Sequence, residues 1–157
     1  MPYYKEPNIL FIHIPKTGGT VIEHQIKKKY KQNLYMSGYM GNKRLPSPFN
    51  KTSLQHQLYT TLYTYRRKLN INFNNIKLFA IIRNPYDRVI SDLFWHNLIK
   101  KKDSSEHVYK VIAKYLKGIG VKDSHNVPQY KYITDKQGKL VPSIKVFKTE
   151  NLNKEND

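Results

Sequence analysis

Residues 8–20 read NILFIHIPKTGGT, and this stretch decides which fold the chain can adopt. The apolar run at 9–14 has the pattern of a buried strand, and apolar residues from Val21 onward recur at helical spacing. Between them lies a glycine turn that carries Lys16 and two threonines. Glycines let backbone N–H groups approach a ligand, and a helix start adds unpaired N–H groups and a partial positive charge. The stretch therefore predicts a strand–turn–helix unit that binds phosphate or phosphosulfate.

The order of residues in this turn differs from that of the nucleoside triphosphate loop. That loop reads G-x-x-x-x-G-K-[ST], with its lysine after the last glycine, whereas Lys16 here precedes the glycine pair. One alternative is a glycine-rich turn without a ligand. The sequence PKTGGT after a strand, however, resembles the 5′-phosphosulfate loop of sulfotransferases that use 3′-phosphoadenosine-5′-phosphosulfate (PAPS). The resemblance implies that the phosphosulfate contacts five residues: Lys16, Thr17, Gly18, Gly19 and Thr20.

A second strand–turn–helix pattern covers residues 77–94, where KLFAIIR precedes NPYDR and a helical apolar run. Asn84 suits the N-cap of this helix, and Pro85 suits its first turn. The order RNPYDRxxS resembles the 3′-phosphate motif of the same family. The resemblance implies that Arg83 and Ser91 bind the 3′-phosphate of the nucleotide. The alternative is a capped helix with a surface arginine.

Residues 125–152 resemble the H-x-x-P-Q … D-x-x-G-K-L … F-x-x-E-N-L ending of Golgi-type carbohydrate sulfotransferases and their bacterial and viral relatives. The resemblance implies that Gln129 and Tyr130 lie near the nucleotide or the acceptor, and that the acceptor is a hydroxyl, with a carbohydrate favoured. Glu150 matches the glutamate of the F-x-x-E-N-L part of this ending. Pairing with a basic residue such as Arg88 is the alternative to a chemical role.

The remaining segments complete the prediction of an α/β protein. They are a loop at 35–50, helices at 52–69 and 104–116, a hairpin at 135–139 and a strand at 144–148. Strands separated by helices favour a parallel sheet with helices on both faces. We therefore expect a P-loop-like three-layer sandwich, a central parallel sheet flanked by helices, in one sulfotransferase-like domain over residues 1–157.

The composition is that of a soluble globular protein, with 39% hydrophobic and 25% charged residues. No apolar run reaches the length of a membrane span, and the first residues have neither the basic nor the apolar part of a signal peptide. The chain contains no cysteine, which fits a reducing compartment. These observations together predict a cytoplasmic protein.

The net charge of +17 predicts attraction for anions, including PAPS, acidic acceptors and nucleic acid. Lysine clusters are often solvated helix faces, so the charge alone assigns no function. A basic nucleic-acid-binding protein on a degenerate nucleotide-binding fold is the first alternative function, since the 13 tyrosines could stack on bases. A P-loop kinase for a small molecule is the second alternative, although the lysine position and the magnesium ligand of such kinases are missing.

Sulfuryl transfer needs an in-line acceptor oxygen and neutralisation of the leaving phosphate. Lys16, the loop amides and the hydroxyls of Thr17 and Thr20 suit the second task. The general base has several candidates. Resemblance to the family's S-x-Q-H segment favours His56, and Glu23 could reach the sulfate from the first helix. His24 would point away from Glu23, and His13 would pack beneath the loop.

This scheme requires no metal ion, and the sequence shows no spaced His/Cys/carboxylate cluster to hold one. The identity of the acceptor stays open among a saccharide, a protein tyrosine and a small alcohol, because no motif marks the acceptor loops. The oligomeric state is equally open. The donor itself is expected to be PAPS, which leaves adenosine 3′,5′-bisphosphate as the product.

Overall fold

The computed structural model describes residues 3–30, 54–118 and 125–152, together with three short strands between 35 and 44. The strands are β1 (Tyr3–Tyr4), β2 (Ile9–Ile12), β3 (Tyr35–Met36), β4 (Tyr39–Met40), β5 (Lys43–Arg44), β6 (Lys77–Ile82) and β7 (Ile144–Lys148). The helices are α1 (Gly19–Tyr30), α2 (Tyr59–Thr64), α3 (Pro85–Trp95) and α4 (Ser105–Leu116), with short 3₁₀ turns at Gln129–Tyr132 and Thr149–Asn151.

The main sheet has four strands in the order β1-β2-β6-β7. β2, β6 and β7 are parallel, with Ile12 opposite Ala80 and Leu78 opposite Ile144. β1 is the exception, because it pairs antiparallel with β2 at the edge. The predicted α/β class, a mostly parallel sheet with helices, is confirmed. Since β2 and β6 are parallel neighbours, the turns after them emerge side by side at one edge of the sheet.

The core lies against this sheet and extends beneath the loops. Its main cluster joins strand residues such as Leu10 and Ile12 to Leu54 and Leu62, all at most 1% exposed. A second cluster packs α3 against α4 through Leu93, Ile99 and Tyr115. Burial of these apolar side chains is the dominant favourable term that holds the elements in place.

Local signals fix the start of α3, as predicted, and both ends of α4. The side chain of Asn84 accepts a hydrogen bond from the backbone of Tyr86 at 2.9 Å, and Pro85 opens the first turn. Ser104 accepts from the backbone N–H of His107 at the start of α4. After its last residue, Gly118 takes a φ of +80°, which a helix C-terminus commonly requires. The predicted strand at 144–148 is also confirmed.

Two predictions about the middle of the chain are wrong. The helix expected over 52–69 is limited to α2, because Gln55 and His56 use their side chains in tertiary contacts and hold the chain in a turn before it. Its first two positions, like most of the predicted loop at 35–50, lie outside the described residues. Within that loop, however, β3, β4 and β5 form a small antiparallel sheet. In the described parts of the chain, no helix has both the length and the apolar character needed to cross a membrane.

Candidate active site

A cleft of about 440 Å³ opens where the turns after β2 and β6 meet. Its walls contain residues of both predicted phosphate motifs and several histidines: His13, Lys16, Gly18, Gly19, Thr20, Gln55, His56, Arg83, Ser91, Trp95 and His125. The two motifs touch directly, since Arg83 Nη1 donates to the carbonyl oxygen of Lys16 at 3.4 Å. No carboxylate is among these described lining residues, so the cleft suits an anionic ligand.

Buried hydrogen bonds shape the predicted phosphate-binding turn, residues 15–20. Thr17 is fully buried and its hydroxyl donates to the carbonyl of Ile14 at 2.9 Å. The hydroxyl of Thr149 in turn lies 2.9 Å from the carbonyl oxygen of Thr17 and 3.0 Å from that of Ile82. The Thr17 hydroxyl therefore shapes the turn and does not line the cleft, contrary to the expectation that it neutralises the leaving phosphate.

Close packing explains why the turn ends in glycine at position 19. A Cβ placed on Gly19 would lie 2.4 Å from Cδ2 and Nε2 of the buried His13 ring. That ring is stacked on Phe11, with the ring centroids 5.3 Å apart. The expectation that His13 packs beneath the loop is met, and its imidazole also forms part of the cleft wall. Gly18 has a different requirement, because its φ of +83° lies in the left-handed region.

Lys16 lines the cleft and has an unusual backbone conformation, with a φ of +64°. Its Nζ is 4.4 Å from the centre of the Trp95 ring, a cation–π contact. Burial lowers the pKa of Lys16, nearby Asp92 opposes that shift, and Arg83 adds to it. Trp95 is 67% exposed beside the cleft, and the sequence analysis did not single it out.

Arg83 is positioned through its backbone by Gln129. The Gln129 amide accepts from the N–H of Arg83 at 2.9 Å and donates to its carbonyl at 2.8 Å. These two bonds resemble those that a residue of a neighbouring strand would form at the end of β6. Gln129 therefore lies next to the predicted 3′-phosphate motif, whereas Tyr130 is 57% exposed and is not part of the cleft wall.

Glu150 and Arg88 have separate partners, so the alternative that they pair is wrong. Glu150 Oε1 accepts from the N–H of Asn84 at 2.6 Å, and this bond lowers the pKa of Glu150. Arg88 is 6% exposed and donates to three carbonyls, those of Pro15, Val127 and His125. Arg88 thus ties the predicted phosphate-binding turn to the segment that carries His125.

His56 lies in the cleft wall, in a turn that precedes α2 and not on a helix. Its Nδ1 is 3.1 Å from the carbonyl oxygen of His13. A carbonyl only accepts, so Nδ1 carries the proton and Nε2 is the basic nitrogen. Burial, followed by the nearby His13, lowers the pKa of His56 to about 3. The ring is therefore neutral at physiological pH.

Glu23 is 3% exposed and does not face the cleft, contrary to the expectation that it could reach the sulfate. Both of its carboxylate oxygens are engaged: His13 Nδ1 lies 2.5 Å from one, and Gln55 donates to the other at 3.2 Å. Glu23 thus orients a residue of the cleft wall. His24, on the same helix, is exposed and outside the cleft.

His125 forms the end of the cleft and is held by Asp92 of α3. Its Nδ1 is 2.6 Å from Asp92 Oδ1, and the Tyr115 hydroxyl donates to Asp92 Oδ2 at 2.6 Å. Burial alone would raise the pKa of Asp92, but the hydrogen bonds from His125 and Tyr115 keep it below its usual range. The pKa of Tyr115 is raised, first by burial and then by the same carboxylate.

One cluster of possible metal ligands was missed by the sequence analysis. Ligand atoms of Asp92, His96 and His125 all lie within 4.8 Å of one another. Asp92 and His96 are one helical turn apart, but His125 comes from a distant segment. Only the fold brings the third group near, so spacing along the sequence could not reveal it.

Comparison with known families identifies the class of protein. The sequence matches the family model described as the sulfotransferase family over residues 3–139, which is most of the chain. This protein therefore belongs to the sulfotransferase family, whose activity is the transfer of a sulfuryl group to an acceptor. No curated protein and no solved structure matches the chain.

Proposed function

We propose that this protein transfers a sulfuryl group from PAPS to a hydroxyl of a carbohydrate acceptor. The phosphosulfate would bind at Lys16 and residues 18–20, and the 3′-phosphate at Arg83 and Ser91. One observation carries the proposal: the turns after two adjacent parallel strands open onto one cleft and contact each other there. A single nucleotide with two anionic ends needs such a pair of pockets.

The charge, the hydrogen-bond donors and the size of the cleft all support a nucleotide as the sulfuryl donor. Lys16 and Arg83 supply two cationic side chains. The start of α1 at Gly19 adds unpaired backbone N–H groups and the positive end of the helix dipole. The volume of about 440 Å³ lies within the range of roughly 300–1,000 Å³ found for small-molecule sites.

The proposed reaction is an in-line displacement at sulfur. The acceptor oxygen forms a bond to sulfur while the bond from sulfur to the 5′-phosphate oxygen breaks, and adenosine 3′,5′-bisphosphate leaves. Lys16 and the backbone N–H groups of the turn would stabilise the negative charge that grows on the leaving phosphate. The unprotonated Nε2 of His56 would accept the proton of the acceptor hydroxyl. The pKa of His56 is about 3 in the cleft as it stands, and a bound anion beside the ring would raise that pKa.

The carbohydrate acceptor is supported by the exposed ring of Trp95. It lies in the wall of the cleft beside Lys16 with two thirds of its surface accessible. A large, exposed aromatic surface of this kind can pack against the apolar face of a sugar ring while the polar hydroxyls face the cleft. Tyrosine peptides and small alcohols are the competing acceptors.

Donor binding can be tested with the fluorescence of Trp95, which is the only tryptophan in the chain. Adenosine 3′,5′-bisphosphate should change this signal at far lower concentration than adenosine 5′-monophosphate or ATP. Loss of charge-assisted hydrogen bonds in Arg83→Ala should weaken binding at least about tenfold. The control Arg67→Ala, an exposed arginine outside the cleft, should not. Equal binding of all three nucleotides would contradict the proposed donor.

Transfer itself can be measured with radiolabelled PAPS and three acceptor panels: oligosaccharides, tyrosine peptides and small alcohols. We expect label only on oligosaccharides, with transfer abolished in Lys16→Ala and strongly reduced in His56→Gln. Lys101→Ala, an exposed lysine outside the cleft, is the matched control and should keep full activity. Normal turnover of Lys16→Ala would refute the mechanism, and label on another panel would refute the carbohydrate assignment.

A further inference from the structure

We propose that Asp92, His96 and His125 form a binding site for a divalent transition metal ion of the zinc type. Two imidazole nitrogens and one carboxylate oxygen are a ligand set that suits Zn²⁺. The site lies at the His125 end of the cleft, but the proposal does not depend on which donor or acceptor the enzyme uses.

The three ligand atoms lie within 4.8 Å of one another, and two of their separations lie on either side of the value that a metal ion requires. Zinc bonds of about 2.0–2.2 Å in a tetrahedral arrangement place neighbouring ligand atoms about 3.3 Å apart. Asp92 Oδ1 lies 2.6 Å from His125 Nδ1 and 3.7 Å from His96 Nε2. Small side-chain movements of opposite sign would bring both separations to the required value.

His96 supplies a second, independent observation. Its Nε2 is shielded from solvent and has no hydrogen-bond partner among the described residues. A buried polar nitrogen without a partner is costly, because it has lost water and gained nothing in return. A metal ion bound beside Asp92 Oδ1 would give this nitrogen a partner. The direct hydrogen bond between Asp92 and His125 does not.

The surroundings hold two of the three ligands in place. Tyr115 donates to the second oxygen of Asp92, and Arg88 binds the backbone carbonyl of His125. Outer contacts of this kind orient metal ligands and tune their basicity. Three protein ligands leave at least one position of a tetrahedral ion for water or another small ligand.

Two nearby cations weaken the site without removing it. Arg88 lies close to Asp92, but its guanidinium faces three backbone carbonyls. Lys16 also interacts with Asp92. Both repel a divalent ion, so we expect weaker binding than at an isolated site with the same ligands.

The experiment is titration of chelator-treated protein with Zn²⁺ by isothermal calorimetry. We expect one ion per chain, and binding at least about tenfold weaker in His96→Ala, since even the loss of an outer partner costs about 10–100-fold. His96 is the right residue to change because the Asp92–His125 hydrogen bond survives its removal. His107→Ala is the matched control: His107 faces Asp103 one helical turn away at 3.8 Å, with no third ligand found in the described residues.

Each result decides the matter. Binding lost in His96→Ala and retained in His107→Ala supports the site. If the unmodified protein binds no ion, the proposal is overturned and Asp92 and His125 form only a hydrogen-bonded pair. If both variants lose binding equally, the proposal is also overturned, because the ion then binds surface histidines. If His96→Ala melts at a lower temperature in chelator, His96→Gln replaces it, because glutamine fills similar space without an imidazole. Nucleotide binding followed by Trp95 fluorescence in chelator tests the donor separately, so the two proposals can fail independently.

Discussion

Replacing Gly19 by alanine should destabilise the protein, because the added methyl group would clash with the imidazole ring of His13. The backbone of Gly19 is not in the left-handed region, so alanine is allowed there and its better helix propensity would favour folding by about 0.5–1 kcal/mol. However, the new Cβ would lie 2.4 Å from two atoms of His13, where carbon contacts are normally about 3.5–4.0 Å. The ring cannot retreat, since Phe11 stacks on it and Glu23 binds its Nδ1.

The expected size of the effect follows from these two terms. Overpacking in a core costs about 1–3 kcal/mol, and the fixed ring favours the upper end. After the gain in helix propensity, Gly19→Ala should lose about 2 kcal/mol of unfolding free energy. For a chain of this length, that lowers the melting temperature by about 4–8 °C.

A double-mutant cycle measured by urea denaturation tests the cause. In His13→Ala the obstacle is gone, so Gly19→Ala should become neutral or stabilise by about 0.5–1 kcal/mol. Gly138→Ala is the control, because its φ of +78° strains alanine while no atom lies within 4 Å. Its cost of about 1–2 kcal/mol should be the same in both backgrounds. An equal loss from Gly19→Ala with and without the His13 ring would refute the packing argument.

Three further predictions concern charged groups. The pKa of His56 is about 3 in the folded protein, because burial and then His13 disfavour its charge, and about 6.5 in the unfolded chain. The unfolded chain therefore binds this proton first, and stability should fall by up to about 1.4 kcal/mol per unit as the pH decreases between these values. Urea titrations of His56→Gln should lack that slope. Because the pKa of Lys16 is lowered, first by burial, affinity for adenosine 3′,5′-bisphosphate should decline as the pH rises toward that pKa. In fluorescence titrations, the variant Lys16→Arg should keep its affinity at that pH. An identical decline in this variant would contradict the assignment of the decline to Lys16. Arg88→Met leaves buried carbonyls without donors and should cost at least about 3 kcal/mol in urea, against less than about 0.5 kcal/mol for the exposed Arg67→Met.

The strand–turn–helix units could be predicted because their signals are local. An apolar run followed by a glycine pair marks β2 and its turn, and Asn84 with Pro85 marks the start of α3. Each signal spans a few residues and needs no knowledge of the rest of the chain. The parallel arrangement of these strands follows from their alternation with helices, whereas their adjacency is seen only in the structure.

The finer structure of the site depends on contacts between distant residues. Glu23 looks like a reachable carboxylate at the start of a helix, yet His13 and Gln55 enclose it from two other segments. Thr17 looks like a ligand-binding hydroxyl, but its rotamer is set by a carbonyl beneath the turn. Likewise, the Asp92–His125 pair joins residues 33 positions apart. Such outcomes are decided by tertiary packing, which residue type and spacing do not specify.

The hydroxyl of Thr149 has a consequence for how the protein matures. It bonds to the turn at Thr17, which lies 132 positions earlier in the chain. During synthesis the N-terminal turn emerges first, but the contact that braces it becomes available only after β7 has been made. Contacts of such long sequence separation form late and slow the folding reaction. A newly made chain should therefore complete this turn in one late step, after β7 has been made, and not gradually as each motif appears.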